Sequence, residues 1–164
     1  MKKEIWELCD IEGNGVGILH ERGQKMPKGL YHPVVEIWTV LPDGRILLTQ
    51  RHPSKHYPLL WECSGGSILN GESFEMGAAR ELAEETGITV EPENMVYLGT
   101  IVDLGCVLKS YLVRLDYIPT LTLQESEVVG HKFVTPDELE AMKDKLTDWA
   151  REHYFTYKAE ITKR

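Results

Sequence analysis

Residues 65–88 read GGSILNGESFEMGAARELAEETGI, and within them lies the clearest helix pattern of the chain. Ser73 is a favourable N-cap, and Glu75 lies in the first turn, where the helix dipole favours a negative charge. Gly87 is placed to end the helix in a left-handed conformation, which glycine adopts without strain. The pattern therefore predicts a helix over residues 74–86.

Three glutamates of this helix, Glu81, Glu84 and Glu85, are spaced by three and four residues and so share one face. Their mutual repulsion costs roughly 0.2–0.5 kcal/mol per pair on an exposed helix. Arg80 is the one cation of the helix that can reach them by i+4 spacing, to Glu84. Hard divalent cations such as Mg²⁺ and Mn²⁺ bind grouped carboxylate oxygens and would remove the repulsion. A charged run is more often a solvated face, and these residues alone favour that interpretation.

Strand-like patterns flank the helix on both sides. Residues 4–10 and 16–20 predict an N-terminal β-hairpin, and further strands are expected at 34–41, 45–50, 95–102, 107–115 and 131–134. Residues 52–64 contain two prolines and two histidines and are predicted to form a loop. Thr135 and Pro136 predict the start of a helix to about residue 145, and a last helix is expected over 147–157. This alternation predicts an α/β (α+β) layer structure.

Length and composition predict a single domain over residues 1–164, with the hairpin and a polar loop in 1–30 and the core in 31–164. The formal net charge of −8 makes the chain a poor ligand for a nucleic-acid polymer or an anionic membrane. An anionic substrate would need cations to mediate its contact with this protein.

The three cysteines, Cys9, Cys63 and Cys106, are widely scattered and include no CxxC pair. They predict neither a disulfide framework nor a zinc site. The first ten residues lack the apolar stretch of a signal peptide, and no window is apolar for long enough to cross a bilayer. These features predict a cytoplasmic protein with reduced thiols and no membrane partner.

From Gly66 to Ile88 the spacing is G-x5-E-x7-R-E-L-x-E-E-x-G-I, and this segment resembles the Nudix box at every fixed position. The resemblance extends over about residues 34–139. It implies the Nudix fold, a mixed β-sheet sandwiched between α-helices. It also implies a metal-dependent hydrolase that uses Mg²⁺ or Mn²⁺ to cleave a diphosphate linkage in a nucleoside diphosphate derivative or a related organic diphosphate.

The resemblance also assigns metal ligands. The carboxylates of Glu81, Glu84 and Glu85 are the implied ligands, together with the backbone carbonyl of Gly65. Mg²⁺ binds through few carboxylates plus waters and substrate phosphates, which suits an open acidic site.

A general base must accept the proton of the attacking water. Glu81 is one candidate, and Glu127 is another, because Nudix enzymes often use a glutamate from a later loop. Glu125 could replace Glu127. The alternative for both loop residues is a pair of exposed acids, and the sequence does not choose among the three candidates.

Other residues of the pattern are assigned supporting roles. Arg80, counted with the catalytic set, and Glu72 are implied to brace the segment that holds the ligands. Gly66 and Gly87 are implied to be conformational. Before the box, Arg51 and Lys55 are candidates to bind phosphate oxygens. Trp61 could stack on a base, although core packing is the favoured reading for a tryptophan at this place.

The N-terminal stretch resembles the Nudix branch that contains isopentenyl-diphosphate isomerase, through Trp6–Asp10, Gly17, Arg22 and Tyr31–His32. The isomerase has a cysteine and a histidine just before its box region. Residues 63–67 here contain no histidine, the cysteine is displaced, and the box is intact. We therefore expect hydrolysis.

Isomerisation remains an alternative, and so does a Nudix module that only binds a nucleotide. The intact glutamate pattern argues against the second alternative. Substrate identity, the number of metal ions and the oligomeric state stay open. A homodimer that exchanges the N-terminal hairpin is one hypothesis.

Overall fold

The helix predicted within the box, α1, extends over Phe74–Thr86 in a computed structural model that describes residues 3–164. The Ser73 hydroxyl accepts a hydrogen bond from the Met76 N–H group at 3.1 Å, and so caps the helix. Gly87 has a φ of 79°, and its N–H group donates to the Ala83 carbonyl. Both predicted helix ends are confirmed.

Nine strands and three α-helices are present among residues 3–164. The strands are β1 (Ile5–Cys9), β2 (Gly15–Glu21), β3 (His32–Val40), β4 (Ile46–Arg51), β5 (Trp61–Glu62), β6 (Ser64–Ser67), β7 (Val96–Asp103), β8 (Cys106–Arg114) and β9 (Val128–Val134). The other α-helices are α2 (Pro136–Ala141) and α3 (Asp148–Ile161). Short 3₁₀ turns occupy Pro92–Asn94 and Lys143–Lys145. No helix of these described residues is long and apolar enough to cross a membrane.

The strands form a two-stranded hairpin and a larger mixed sheet. In the hairpin, β1 pairs with β2 in the antiparallel direction, as predicted. The larger sheet has the order β5-β4-β3-β8-β7, with β6 paired to β3 and β9 paired to β4. The β3 and β8 strands are parallel, whereas the other pairs are antiparallel. The predicted mixed sheet is therefore confirmed.

Helices cover both faces of the larger sheet. On one face, Ala78 and Leu82 of α1 pack in a cluster with Ile37. On the other face, Tyr154 of α3 packs in a cluster with Trp38. Because successive side chains of a strand point to opposite faces, β3 supplies both cores and reads as an almost continuous apolar run. The predicted sandwich of a sheet between helices is confirmed.

Two predicted segments differ from the structure. The segment 52–64 is not all loop, because Trp61 and Gln50 are paired across β5 and β4, and β6 follows at once. These strands are two and four residues long and form through distant partners, which local sequence patterns do not report. The helix expected to reach residue 145 ends at Ala141, since the backbone leaves the helical region at Met142.

Two further elements are longer than expected. Strand β9 begins at Val128 rather than at residue 131, and α3 continues to Ile161 rather than ending at residue 157. In both cases the extension carries residues that face a core, Val128 and Ile161 among them. Tertiary packing therefore stabilises more of each element than its local pattern indicates.

The hairpin is attached to the larger sheet at the start of β3. The rings of Trp6 and His32 are stacked with centroids 3.9 Å apart. The Cys9 N–H group donates to the Tyr31 carbonyl, and the Tyr31 N–H group donates back to the Cys9 carbonyl. These contacts fix the hairpin beside the segment that leads into the central strand.

Candidate active site

Arg80 joins the loop before α1 to the acidic face of the helix. Its guanidinium contacts both carboxylate oxygens of Glu72, with distances of 2.6 and 3.0 Å, and donates to the Ser67 carbonyl at 2.8 Å. It also bonds Glu81 at 2.8 Å and Glu84 at 3.1 Å. This bidentate, five-contact arrangement fixes the loop relative to the helix.

Glu81 lies against the backbone of β6. A Cβ atom added to Gly66 would overlap the Glu81 carboxylate, so glycine leaves room for the carboxylate in this position and a larger residue would displace it. The Glu81 side chain is 15% exposed. Burial raises the pKa of Glu81 to about 7, although the Arg80 charge acts in the opposite direction. The glycine of the box thus serves the placement of a carboxylate.

Glu85 is the most buried acid of the helix, at 4% exposure. Burial and the nearby charges of Glu62 and Glu81 raise its pKa well above the ordinary range, while Lys55 opposes this shift. Glu84, in contrast, is exposed and bonded to Arg80. The structure therefore brings Glu81 and Glu85 into one buried acidic region and leaves Glu84 at its outer side.

Glu62 belongs to the same region, and the sequence analysis missed it. Burial raises the pKa of Glu62, whereas its partner Arg51 lowers it. The Arg51 guanidinium bonds the Glu62 carboxylate at 2.7 Å. Reading residues 52–64 as loop hid this residue, since the pairing of Thr49 with Glu62 fixes which face of the sheet it occupies.

Gly65 lies next to Glu36 of the central strand in the pairing of β6 with β3. A Cβ atom on Gly65 would lie 2.5 Å from the Val35 carbonyl oxygen, so a larger residue would separate the two strands. The predicted carbonyl ligand thus belongs to a strand held against the middle of the sheet.

Glu127 and Lys55 form an ion pair with an Nζ–Oε2 distance of 2.5 Å. The Glu127 carbonyl accepts a hydrogen bond from the His52 N–H group at 3.0 Å. The turn before it is anchored to the box helix, because the Gln124 N–H group donates to the Glu85 carbonyl. Glu125 is exposed. Of the two loop acids, Glu127 is the one held beside a cation near the acidic region.

Trp61 points to the other side of the sheet from Glu62, because neighbouring residues of a strand alternate. It packs against the core beneath α3, and its carbonyl accepts a hydrogen bond from the Thr147 N–H group at 2.9 Å. The Lys132 ammonium lies 5.0 Å from the Trp61 ring centroid. The structure thus places Trp61 with the core and away from the acids.

The acidic region fits a hard divalent cation. Among residues 3–164, no three His, Cys, Asp or Glu side chains converge closely enough to hold a metal by themselves. Mg²⁺ needs few protein ligands, because waters and substrate phosphates complete its octahedral shell. Two carboxylates, those of Glu81 and Glu85, are removed from water, and the charge of Glu81 raises the pKa of Glu85 further. A cation would relieve that repulsion.

A second buried acid was also missed by the sequence analysis. Glu36, on the α3 face of β3, accepts a hydrogen bond from the Ser110 hydroxyl at 2.6 Å and lies 2.9 Å from Nδ1 of His153. The Cys63 thiol lies 3.9 Å from the same carboxylate. In the sequence, the one indication of a buried acid here is that Glu36 is a single charged residue inside the apolar run of residues 34–41.

Comparisons with known proteins agree with this geometry. A family model described as the NUDIX domain matches residues 30–157. The chain is 30% identical over 148 residues to an uncharacterised Nudix hydrolase of Listeria monocytogenes, with 85% of each chain covered.

Solved structures share the fold. A Deinococcus radiodurans protein matches with a TM-score of 0.75 and 21% identity, covering 98% of this chain and 100% of that one. The NUDIX domain of Shewanella oneidensis NrtR, crystallised with ADP ribose, matches with a TM-score of 0.67 and 21% identity, covering 80% and 89%.

Proposed function

We propose a substrate and a metal for this chain, which belongs to the Nudix family and is a Nudix-type diphosphate hydrolase (a pyrophosphohydrolase). The proposed substrate is a nucleoside diphosphate derivative, and the proposed metal is Mg²⁺ or Mn²⁺. The observation that carries the proposal is the pair of buried carboxylates, Glu81 and Glu85, with Lys55 and the Arg51–Glu62 ion pair near Glu85. Acids beside cations suit a substrate whose phosphates bind to both a metal and basic side chains.

We assign the metal to Glu81, Glu85 and the Gly65 carbonyl, with Glu84 at the outer side. When bound, the metal neutralises phosphate charge and makes its coordinated water a better nucleophile at neutral pH. Arg80 keeps its contacts to Glu72 and Glu81 and so holds the ligand geometry. These assignments follow the Nudix pattern and the burial of the two carboxylates.

Arg51 and Lys55 are proposed to bind the diphosphate. Each is paired with an acid, Arg51 with Glu62 and Lys55 with Glu127. Phosphate oxygens accept charge-assisted hydrogen bonds as these carboxylates do, so a bound diphosphate would share or replace the pairs. Movement of Lys55 toward phosphate would free Glu127.

Glu127 is our choice for the general base, with Glu81 as the alternative. Water oxygen attacks one phosphorus, the bond from that phosphorus to the bridging oxygen breaks, and the leaving phosphate departs with the bridging oxygen. The proton of the water passes to the base. The Lys55 pair and the Gln124–Glu85 contact support Glu127, since they hold it near the metal-binding helix.

The isomerase-like alternative is less well supported. Cys63 is buried among core residues on the α3 face, and burial raises the pKa of its thiol well above the ordinary range. A protonated, enclosed thiol on the face away from α1 suits packing better than proton transfer to a substrate. Hydrolysis needs no thiol.

The chemistry and net charge also favour a small-molecule partner over a nucleic-acid polymer. We also propose that the enzyme is cytoplasmic.

A homodimer with exchanged N-terminal hairpins is a further hypothesis. Light scattering of a chain that lacks residues 1–20 tests it. A dimer that becomes a monomer supports exchange, and an unchanged number of subunits rules it out.

The deciding experiment measures nucleotide and phosphate release from a panel of nucleoside diphosphate derivatives, with Mg²⁺, with Mn²⁺ and with chelator. Glu85→Gln is expected to lose metal-dependent release by at least about 100-fold, as a removed transition-state contact does. The matched control is Glu152→Gln, an exposed acid on α3, which should retain native rates. No release from any compound, or equal rates in Glu85→Gln, would overturn the proposal.

A further inference from the structure

Three non-glycine residues among 3–164 have a positive φ, and two of them lie in the segment between β4 and β5. Tyr57 has a φ of 54° and Leu59 a φ of 63°. A bulky residue rarely adopts this left-handed conformation, because its Cβ atom crowds the neighbouring carbonyl. Glycine would adopt it freely.

Burial does not explain the two strained residues. Tyr57 is 53% exposed and Leu59 is 49% exposed. A large apolar side chain in a strained, half-exposed position gains little from the rest of the fold. Backbone strain of this kind is concentrated at ligand-binding sites, where the side chain serves an external contact.

The strained segment is bonded to Arg51. The Leu59 N–H group donates to the Arg51 carbonyl at 3.2 Å, and the Arg51 N–H group donates to the Leu60 carbonyl at 3.0 Å. The Arg51 side chain adds a hydrogen bond to the His56 carbonyl at 2.6 Å and contacts Glu62. The backbone that carries the two exposed side chains is therefore held to Arg51, whose cation pairs with Glu62 of the acidic region.

We propose that Tyr57 and Leu59 form the specificity surface of the enzyme, which binds the nucleobase of a substrate whose diphosphate lies at Arg51 and Lys55. The Tyr57 ring stacks on the base, and Leu59 supplies an apolar contact beside it. A fixed backbone presents both groups with little ordering cost on binding. This inference rests on the proposed function, because it requires a nucleoside diphosphate at the site.

The test removes each side chain and relieves its strain in one step, with Tyr57→Gly and Leu59→Gly. Calorimetry gives dissociation constants for Mg²⁺-ADP and Mg²⁺-pyrophosphate, which differ by the adenosine group. We expect ADP to bind about tenfold more weakly to each variant, as loss of a stacking contact implies, and pyrophosphate to bind unchanged. The melting temperature should not fall, whereas loss of a structural side chain would lower it.

Two controls sharpen the result. Tyr57→Phe keeps the ring and should bind ADP as the native chain does. Leu104→Gly relieves strain at the third positive-φ residue, in the turn between β7 and β8 at the opposite edge of the sheet from β5, and should leave both dissociation constants unchanged.

Unchanged ADP binding in both glycine variants overturns the inference, and so does equal weakening of ADP and pyrophosphate. Failure of the proposed function has a different signature: the native chain itself then binds neither ADP nor pyrophosphate. If the native chain binds pyrophosphate but not ADP, the diphosphate site stands and the nucleobase surface is rejected.

Discussion

Nδ1 of His153 lies 2.9 Å from Oε2 of Glu36, in a pair that joins the last helix to the central strand. Both side chains are almost fully buried, at 2% and 7% exposure. A buried carboxylate depends on such partners, because its separation from water is otherwise costly. The pair thus connects α3 to the strand that lies beside Gly65.

His153→Ala should lower the free energy of unfolding by about 3 kcal/mol, because it leaves Glu36 buried with one partner fewer. Urea denaturation measures this. Glu152→Ala, the neighbouring exposed position, should change stability by no more than about 0.5 kcal/mol. A loss below about 1 kcal/mol in His153→Ala would mean that Ser110 satisfies the carboxylate without the histidine.

Gly66→Ala should reduce kcat by about 100-fold, since a methyl group at this position displaces the Glu81 carboxylate from its place. The physical cause can be isolated in a double-mutant cycle of stability. Gly66→Ala should destabilise the native chain but cost less than about 0.5 kcal/mol in a Glu81→Ala background, where the overlapping group is absent. Equal costs in the two backgrounds would show that the β6 backbone, and not Glu81, requires glycine.

His32 makes the protein less stable in mild acid. Burial, with the charges of Arg22 and His20, lowers its pKa from 6.5 to about 4, so the unfolded chain takes up the proton first as pH falls. The stability that the neutral His32 ring contributes to the folded state is therefore fully present above pH 6.5 and is lost as pH falls toward 4. We expect about 2 kcal/mol less stability at pH 4 than at pH 7 from this residue, allowing for its partial exposure.

Urea denaturation across this range, together with an NMR titration of the His32 ring, checks the expectation. The raised pKa values of Glu81 and Glu85 change stability in the opposite direction over this range, so the His32 share is measured as the difference between the native chain and His32→Gln. That difference should change by about 2 kcal/mol between pH 7 and pH 4, and His56→Gln, at an exposed histidine, should follow the native chain. A ring that titrates near 6.5 in the folded protein would refute the assignment.

The identity of the base is tested with Glu127→Gln and Glu125→Gln. Glu127→Gln should lower kcat by about 10²- to 10³-fold with little change in KM, because it removes proton acceptance and not substrate binding. Glu125→Gln should stay within about twofold of the native rate, since this residue is exposed. The reverse order of effects would move the base to Glu125, and two small effects would leave Glu81 as the base.

Metal binding should stabilise the fold through Glu81 and Glu85. At about 100 times its dissociation constant, a ligand that binds only the folded state adds about 2.7 kcal/mol. The melting temperature of the native chain should therefore rise with Mg²⁺, return with chelator, and respond little in Glu85→Gln. An equal rise in native and variant proteins would place the cation elsewhere.

Local patterns predict the box helix well, because its determinants are local. Ser73 and Gly87 end the helix by contacts within four residues, and spacing alone places the glutamates on one face. The resemblance to the Nudix family predicts the remaining architecture, a mixed sheet between helices. The parts that the sequence did not show depend on distant partners.

Two examples show this dependence. Glu36 and His153 are 117 residues apart, and no short pattern indicates that they meet. The sequence predicts a loop at Glu62, whereas the pairing of β5 with β4 makes it a strand residue. Likewise, the ion pair with Lys55 is made by Glu127 and not by Glu125. Its two partners are more than 70 positions apart, so residue spacing does not predict it.

The parallel pairing of β3 with β8 has a consequence for how this enzyme is made. During synthesis, the whole box leaves the ribosome before residues 106–114, so the central strand must wait for the neighbour that completes its core. Pairings of this separation form slowly. A nascent chain that ends soon after Ile88 would carry all the box residues without the sheet that positions them, so catalytic competence arrives only with the last third of translation.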